Sequence, residues 1–167
     1  PTFYPQIVPD AVNGHPALRF DGLDDYLEIL NSPSLQPGEN DWTVIFAAQR
    51  NAGSQGDFPQ IIGSRPWVAG LDKGWAVAFD ASGFVASHFA DGAAGHDVPT
   101  TLALASLPLD AFQIWSVEEQ RSNGQTAFYL NGALNRASTR PMPELPIDQI
   151  ENIYLGREIG GSDIRRA

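Results

Sequence analysis

The chain has 167 residues, a formal net charge of −10 and no cysteine. This length suits one well-buried domain, here taken as residues 1–167, and a hydrophobic content of 43% is typical of a globular protein. Disulfides and thiolate metal sites are excluded. The acidic balance argues against nucleic acid and anionic membranes as partners, because both require clustered Lys and Arg. Membrane insertion is not expected either, since no apolar run is long enough to span a bilayer.

The N-terminal part predicts extended structure with one sharp corner. Residues 1–12 contain three prolines and predict an extended lead-in, with an edge strand as an open alternative. Residues 13–29 predict a unit of two strands, because apolar and polar residues alternate on both sides of Asp21-Gly22. That dipeptide favours a tight turn.

The middle and the C-terminal part predict many short strands. Residues 42–48 are apolar at nearly every position and predict a central strand covered on both faces. Residues 75–80 and 84–89 flank a short Gly-containing loop and predict a hairpin, and Asn131-Gly132 predicts another because both positions accept positive φ. Further strands are predicted at 61–62, 112–118, 126–130, 133–135 and 150–156. Ten or more short strands without helical periodicity indicate an all-β, two-sheet antiparallel sandwich or jelly roll.

A family resemblance rests on four segments in sequence order. Residues 13–27 resemble the opening of laminin-G-like domains of the concanavalin A-like lectin/glucanase superfamily. Later segments fit at 42–46, at 115–118 followed by 128–132, and at 153–157. The resemblance implies a jelly roll of two curved antiparallel sheets. It also implies a binding function, because family members mostly bind glycans or proteins, often as modules of larger extracellular proteins.

The C-terminal end departs from the family pattern. The family usually adds a closing strand after the segment that resembles 153–157, and residues 158–167 do not match it. We therefore expect the final strand to be missing, truncated or supplied by another segment. An open sheet edge exposes backbone donors and acceptors, so a strand-donating partner chain or an oligomer is one predicted consequence.

The carboxylates do not match those of catalytic relatives. Superfamily members that cleave β-glucans resemble one another through a Glu-x-Asp-x-Glu strand, because hydrolysis needs two carboxylates on one face. Glu118 and Glu119 are adjacent and must point to opposite faces of a strand. His15 and His88 fit a turn and a strand face, and no Gly-x-Ser-x-Gly elbow is present. A non-catalytic protein is predicted, with a polysaccharide hydrolase or lyase as the alternative.

Calcium is the candidate cofactor, and the alternative is that no cofactor binds. Asp21, Asp24 and Asp25 form an acidic corner beside a glycine, and Ca²⁺ prefers several oxygen ligands. The resemblance adds support, because laminin-G-like and pentraxin-like relatives often hold calcium at the rim of the sandwich. The alternative is that Asp21-Gly22 serves the turn and the other two carboxylates are solvated.

Two loops offer a ligand-binding site. Trp67 lies in a loop and could stack on a sugar ring or pack over the edge of the sandwich, whereas the other tryptophans fit the core. Asp91, His96 and Asp97 occupy a second glycine-containing loop. These four residues predict a glycan-binding module of an extracellular, cell-surface or virion-associated protein. The alternative is a structural or assembly module that pairs with a partner through its open edge.

Overall fold

Antiparallel β-strands are the main elements of the part of the chain that the structure describes. The computed structural model describes residues 3–50, 60–65, 73–80, 82–93, 101–109, 111–143 and 145–157. In those residues one 3₁₀ turn forms at Pro33–Leu35. The strands are β1 (Gln6–Val12), β2 (His15–Arg19), β3 (Leu27–Ile29), β4 (Trp42–Ala48), β5 (Gln60–Gly63), β6 (Gly74–Phe79), β7 (Phe84–Ala90), β8 (Thr101–Ser106), β9 (Gln113–Gln120), β10 (Gln125–Leu130), β11 (Ala133–Thr139) and β12 (Ile153–Leu155). None of the described residues forms a helix long and apolar enough to cross a membrane.

The strands form a two-sheet sandwich with a small additional sheet. One sheet has the order β3-β12-β5-β6-β7-β8, the other has the order β11-β10-β9-β4, and β1 pairs with β2 alone. Each pairing is antiparallel. The predicted all-β, two-sheet antiparallel sandwich is therefore confirmed.

The two strands predicted on either side of the acidic corner both form, but they do not pair with each other. β2 pairs with β1 through a turn at Asn13 (φ 49°) and Gly14 (φ 79°), so the lead-in contains a strand. β3 pairs instead with β12, where Glu28 lies opposite Tyr154. Hydrogen bonds to the side chains of Asp21 and Asp25 shape residues 21–25 into a loop. This loop connects β2 in the two-stranded sheet to β3 in the six-stranded sheet.

The core lies between the two large sheets. β6 and β7 contribute buried apolar side chains from one sheet, and β9 and β10 contribute them from the other. The largest cluster contains Val77, Phe79, Val85, Trp115, Val117 and Phe128. Trp42 packs against Trp75 with ring centroids 5.1 Å apart. The core placement predicted for Trp42, Trp75 and Trp115 is confirmed.

β4 is not covered on both faces, so that prediction is wrong. Among the described residues β4 pairs only with β9 and forms the end of the four-stranded sheet. Its side chains alternate, and Ile45 is 70% exposed on the outer face. The sequence of β4 resembles that of a strand buried on both faces because its outward-facing residues are also apolar. In the structure, those residues face solvent.

Candidate functional site

The structure brings the three residues of the acidic corner together. One carboxylate oxygen from each of Asp21, Asp24 and Asp25 lies within 4.8 Å of the other two. Asp21 Oδ1 accepts hydrogen bonds from the amides of Leu23 (2.8 Å) and Asp24 (3.1 Å), and Asp25 Oδ2 accepts one from the Asp21 amide (3.0 Å). The bond from Leu23 lowers the pKa of Asp21, whereas burial raises the pKa of Asp25. Two of the carboxylates thus already accept backbone hydrogen bonds that shape the turn. Calcium binding here stays a prediction.

Asp91 anchors the start of the connection between β7 and β8. Its side chain is buried, Oδ1 accepts a hydrogen bond from the Ala93 amide (2.9 Å) and Oδ2 accepts one from the Leu145 amide (3.1 Å). Asp91 therefore holds the end of β7 against the segment that follows β11. Its predicted ligand-binding role stays a prediction, as do those of Trp67, His96 and Asp97, which lie outside the described residues.

The connections that contain the predicted ligand-binding residues leave the sheet at one common end. Gly63 is the last residue of β5, and Gly74 begins β6. Gly74 lies opposite Ala90, the last residue of β7. The β5–β6 connection, which contains Trp67, and the β7–β8 connection, which contains His96, therefore start from the same end of the six-stranded sheet.

A row of paired residues crosses the outer face of that sheet. Five neighbouring strands contribute Glu28, Tyr154, Gly63, Ala76 and His88, in that order. The side chains in the middle of the row are small, because Gly63 and Ala76 lie between Tyr154 and His88. A second row includes two further buried alanines, so this part of the face carries little side-chain volume.

Gln60 lies on this small-residue face with an unpartnered amide. A register shift between Gln60 and Ile62 places Gln60 opposite Ala78 on the outer face, while Ile62 packs against the core. Gln60 is 0% exposed, and neither polar atom of its side chain has a hydrogen-bond partner. Its Nε2 lies so close to Gly63 that a Cβ added there would be 2.5 Å away. Sequence reasoning missed Gln60, and the only available signal was a polar residue directly before an apolar pair.

An aromatic and cationic cluster borders the same face. The Arg157 guanidinium lies 4.1 Å from the ring centroid of Tyr26 and 4.8 Å from that of Tyr154. The Tyr154 hydroxyl donates a hydrogen bond to Glu28 Oε1 (2.8 Å), and Asn152 Nδ2 donates another (2.6 Å). These two bonds, that of Asn152 first, lower the pKa of Glu28. The Tyr154 side chain is thus held in place by a cation on its ring and a carboxylate on its hydroxyl.

The two adjacent glutamates of β9 point to opposite faces of the strand, as predicted. Glu119 is 0% exposed and lies between the sheets, where it accepts hydrogen bonds from Arg140 Nη2 (2.5 Å), Thr126 Oγ1 (2.7 Å) and the Ser87 hydroxyl. Glu118 is half-buried and lies on the opposite face of β9. The two glutamates do not form a pair on one face, and Glu119 is committed to an internal ion pair.

Solved structures show the same fold. The carbohydrate-binding module CBM40 of the Ruminococcus gnavus IT-sialidase, bound to sialyllactose, is 14% identical with a TM-score of 0.55, and the match covers 79% of this chain and 70% of that one. Domains LG4-5 of the mouse laminin α1 chain are 14% identical with a TM-score of 0.57, over 85% of this chain and 35% of that one. This chain has the concanavalin A-like jelly-roll fold. The laminin-G-like resemblance is thereby confirmed at the level of the fold.

A third similar structure comes from an enzyme. Domain 4 of the Geobacillus stearothermophilus extracellular arabinanase AbnA, in complex with arabinotriose, is 11% identical with a TM-score of 0.58 over 96% of this chain and 71% of that one. In another structure of the CBM40 module, the match covers 64% of that chain. No protein-family model matches the sequence, and no curated protein matches it. At these identities the likeness establishes the fold alone.

Proposed function

We propose that this chain is a non-catalytic glycan-binding module of a larger extracellular or surface protein. The observation that carries the proposal is the common origin of two loops at one end of the six-stranded sheet. Gly63, Gly74 and Ala90 lie on adjacent strands there, so the connection with Trp67 and the connection with His96 and its neighbouring acids start side by side. Small-molecule sites commonly combine aromatic side chains with a few polar groups, and the sequences of these two connections contain both residue types.

The structural neighbours and the glutamates support this proposal. Two of the neighbours are structures in complex with sugars, namely sialyllactose and arabinotriose. Hydrolysis by the route of the superfamily glucanases would need accessible paired carboxylates on one strand face. Glu119 is buried in an ion pair with Arg140, and Glu118 points away from it. Binding without turnover is therefore the function that the site supports best.

Glycan binding can be tested on an array followed by calorimetry. We expect the wild type to bind a defined set of glycans and Trp67→Ala to bind them at least about tenfold more weakly, the loss typical of truncating an aromatic anchor. Tyr129→Ala is the matched control, because Tyr129 lies on β10 in the other sheet. A wild type that binds no glycan, or a Trp67→Ala variant that binds like the wild type, would contradict the proposed site.

A second candidate function is assembly through β4. This strand ends the four-stranded sheet among the described residues, and its sequence carries no charge that would discourage pairing. The adjoining outer face exposes Ile45, Ile114 and Leu134, which are 70%, 56% and 60% exposed. An uncharged edge strand beside exposed apolar side chains favours an additional strand from a partner chain.

A further inference from the structure

We propose that Gln149 is a positioning residue for the proposed glycan-binding site. It belongs to the segment 145–149, called the brace below, which contacts residues at the ends of both connections that contain the predicted ligand-binding residues. Gln149 holds the two ends of the β5–β6 connection together. The inference rests on the proposed function and deepens it, since it assigns a residue that fixes the geometry of the site without touching the sugar.

The side-chain amide of Gln149 is hydrogen-bonded to both ends of the β5–β6 connection. Its Nε2 donates one hydrogen bond to the Ser64 carbonyl (2.8 Å) and a second to the Lys73 carbonyl (2.9 Å). Ser64 directly follows β5, and Lys73 directly precedes β6. An amide nitrogen carries two hydrogens, so these two bonds use its whole donor capacity. One side chain therefore sets the distance between the points where this connection leaves the sheet and returns to it.

The backbone of Gln149 is itself held by the side chain of Gln36. Gln36 Oε1 accepts a hydrogen bond from the Gln149 amide (3.1 Å), and Gln36 Nε2 donates one to the Gln149 carbonyl (2.8 Å). Asn31 Nδ2 donates to the same carbonyl (3.1 Å). Gln36 thus pairs with both backbone groups of one residue, as a neighbouring strand would. This pairing directs the Gln149 side chain towards the ends of the β5–β6 connection.

Leu145 ties the other end of the brace to the β7–β8 connection. Its amide donates a hydrogen bond to Oδ2 of Asp91, which directly follows β7. The Leu145 carbonyl accepts a hydrogen bond from Arg121 Nη2 (3.0 Å), and the Pro143 carbonyl accepts another from the same atom (2.7 Å). Arg121 directly follows β9. This end of the brace is therefore fixed to both large sheets, because β7 and β9 belong to different ones.

Ile147 anchors the middle of the brace in the core. Its side chain is 0% exposed and shares a core cluster with Trp75 and Phe89. These two aromatic residues lie opposite each other, one residue inside the ends of β6 and β7. Moving the brace would expose the Ile147 side chain to water, which costs free energy. The brace thus joins the end of β5, the start of β6 and the end of β7 in one unit.

The brace affects binding because it orders the two connections before a ligand arrives. Loops that are held in the binding geometry do not have to be ordered by the ligand, and affinity increases accordingly. Without the Gln149 bonds, only a fraction of the molecules has that geometry, and the apparent dissociation constant rises by the inverse of this fraction. The association rate falls by the same factor, whereas the dissociation rate of the formed complex does not change. Loss of a contact residue has the opposite signature, because it mainly raises the dissociation rate.

The test measures binding kinetics of Gln149→Met, with sialyllactose, arabinotriose and the glycan that the wild type binds most tightly on the array as probes. Methionine keeps the length of the side chain and removes its donors. We expect the association rate to fall about tenfold and the dissociation rate to stay within about twofold of the wild type. Gln149→Lys should restore most of the association rate, because an ammonium group also donates to two carbonyls. Gln113→Met is the matched control and should bind like the wild type, since Gln113 begins β9 at the end opposite Arg121.

A measurement without ligand tests the brace independently. The chain contains no cysteine, so spin labels can be attached through Lys73→Cys and Ala93→Cys, one in each connection. The distribution of distances between the labels should be narrow in the otherwise unchanged chain and broader with Gln149→Met. If Gln149→Met does not fold, Gln36→Met should produce the same broadening, because it removes the two bonds that hold the Gln149 backbone.

The outcomes separate the brace from the proposed function. A folded variant with an unchanged distance distribution, or with the association rate of the wild type, overturns the positioning role and leaves the proposed function standing. A lower affinity that comes from faster dissociation alone also overturns it, because Gln149 would then act as a contact residue. A wild type that binds none of the probes or array glycans overturns the proposed function and the positioning role together.

Discussion

Removal of the Glu119 carboxylate should destabilise the sandwich strongly. Glu119 on β9 accepts hydrogen bonds from Ser87 on β7 and Thr126 on β10, so its carboxylate joins the two sheets. It also pairs with Arg140, whose side chain is 5% exposed. Burial lowers the pKa of Arg140 and Glu119 opposes that shift, which shows that the carboxylate compensates the buried cation. Glu119→Ala removes the carboxylate that compensates the charge of this buried cation.

The expected magnitude follows from the burial of the pair. Removing one partner of a buried ion pair typically costs about 3–5 kcal/mol in the free energy of unfolding. For a chain of this size, such a loss corresponds to a decrease in melting temperature of roughly 6–20 °C. Replacing both partners with apolar residues, as in Glu119→Leu with Arg140→Met, should recover most of the loss, because no buried charge then remains.

Chemical denaturation and calorimetry measure these differences directly. Glu118→Ala is the matched control, because Glu118 is the next residue on the same strand and lies on the opposite face. We expect the control to change the free energy of unfolding by no more than about 0.5 kcal/mol. A Glu119→Ala variant within about 1 kcal/mol of the wild type would refute the assignment of this carboxylate to the interior.

Three further predictions concern the surface. The hydrogen bond from the backbone amide of Ser122 lowers the pKa of Asp41 from its ordinary value, so the ionised carboxylate stabilises the fold above that ordinary value and this contribution disappears as the pH falls through the lowered pKa. Asp41→Asn should therefore reduce the melting temperature at neutral pH. The melting temperatures at neutral pH and at about pH 2 should then differ less in the variant than in the wild type, and an equal difference in both proteins would count against this bond. If the acidic corner holds calcium, the ion should raise the melting temperature, and a chelator or Asp24→Asn should abolish the increase. A wild type whose melting temperature changes with neither calcium nor chelator would argue against the site. If β4 pairs with a second copy, light scattering should detect an oligomer that Ile45→Lys dissociates, and a wild type that stays monomeric at high concentration would exclude self-pairing.

Local turn chemistry made the hairpins of the fold predictable. Asn131 (φ 49°) and Gly132 (φ 80°) adopt the positive φ that a two-residue hairpin turn requires, so their sequence alone predicted the β10–β11 hairpin. By contrast, β8 (Thr101–Ser106) was not predicted, because its Leu and Ala residues have no strong strand preference. Its pairing with β7 depends on contacts that are distant in sequence.

The candidate site was predictable only in part. Acidic residues close in sequence, as in Asp21–Asp25, must remain close in space, and the sequence therefore located the acidic corner. The neighbours of Gln60 could not be predicted in this way, since Tyr154 and Ala76 reach Gly63 through strand pairing across the sheet. A bulge, which shifts every later residue to the other face, also leaves no clear mark in the sequence.

NMR titration of the isotopically labelled chain with a glycan identified on the array would locate the binding site directly. Backbone amide signals of Gly63, Ala76 and His88, on the outer face of the six-stranded sheet, should shift in proportion to occupancy. Signals of Ile45 and Tyr129, on the outer face of the four-stranded sheet, should not move. Shifts confined to the four-stranded sheet, or none with any glycan at millimolar concentration, would contradict a glycan-binding module that uses the six-stranded sheet.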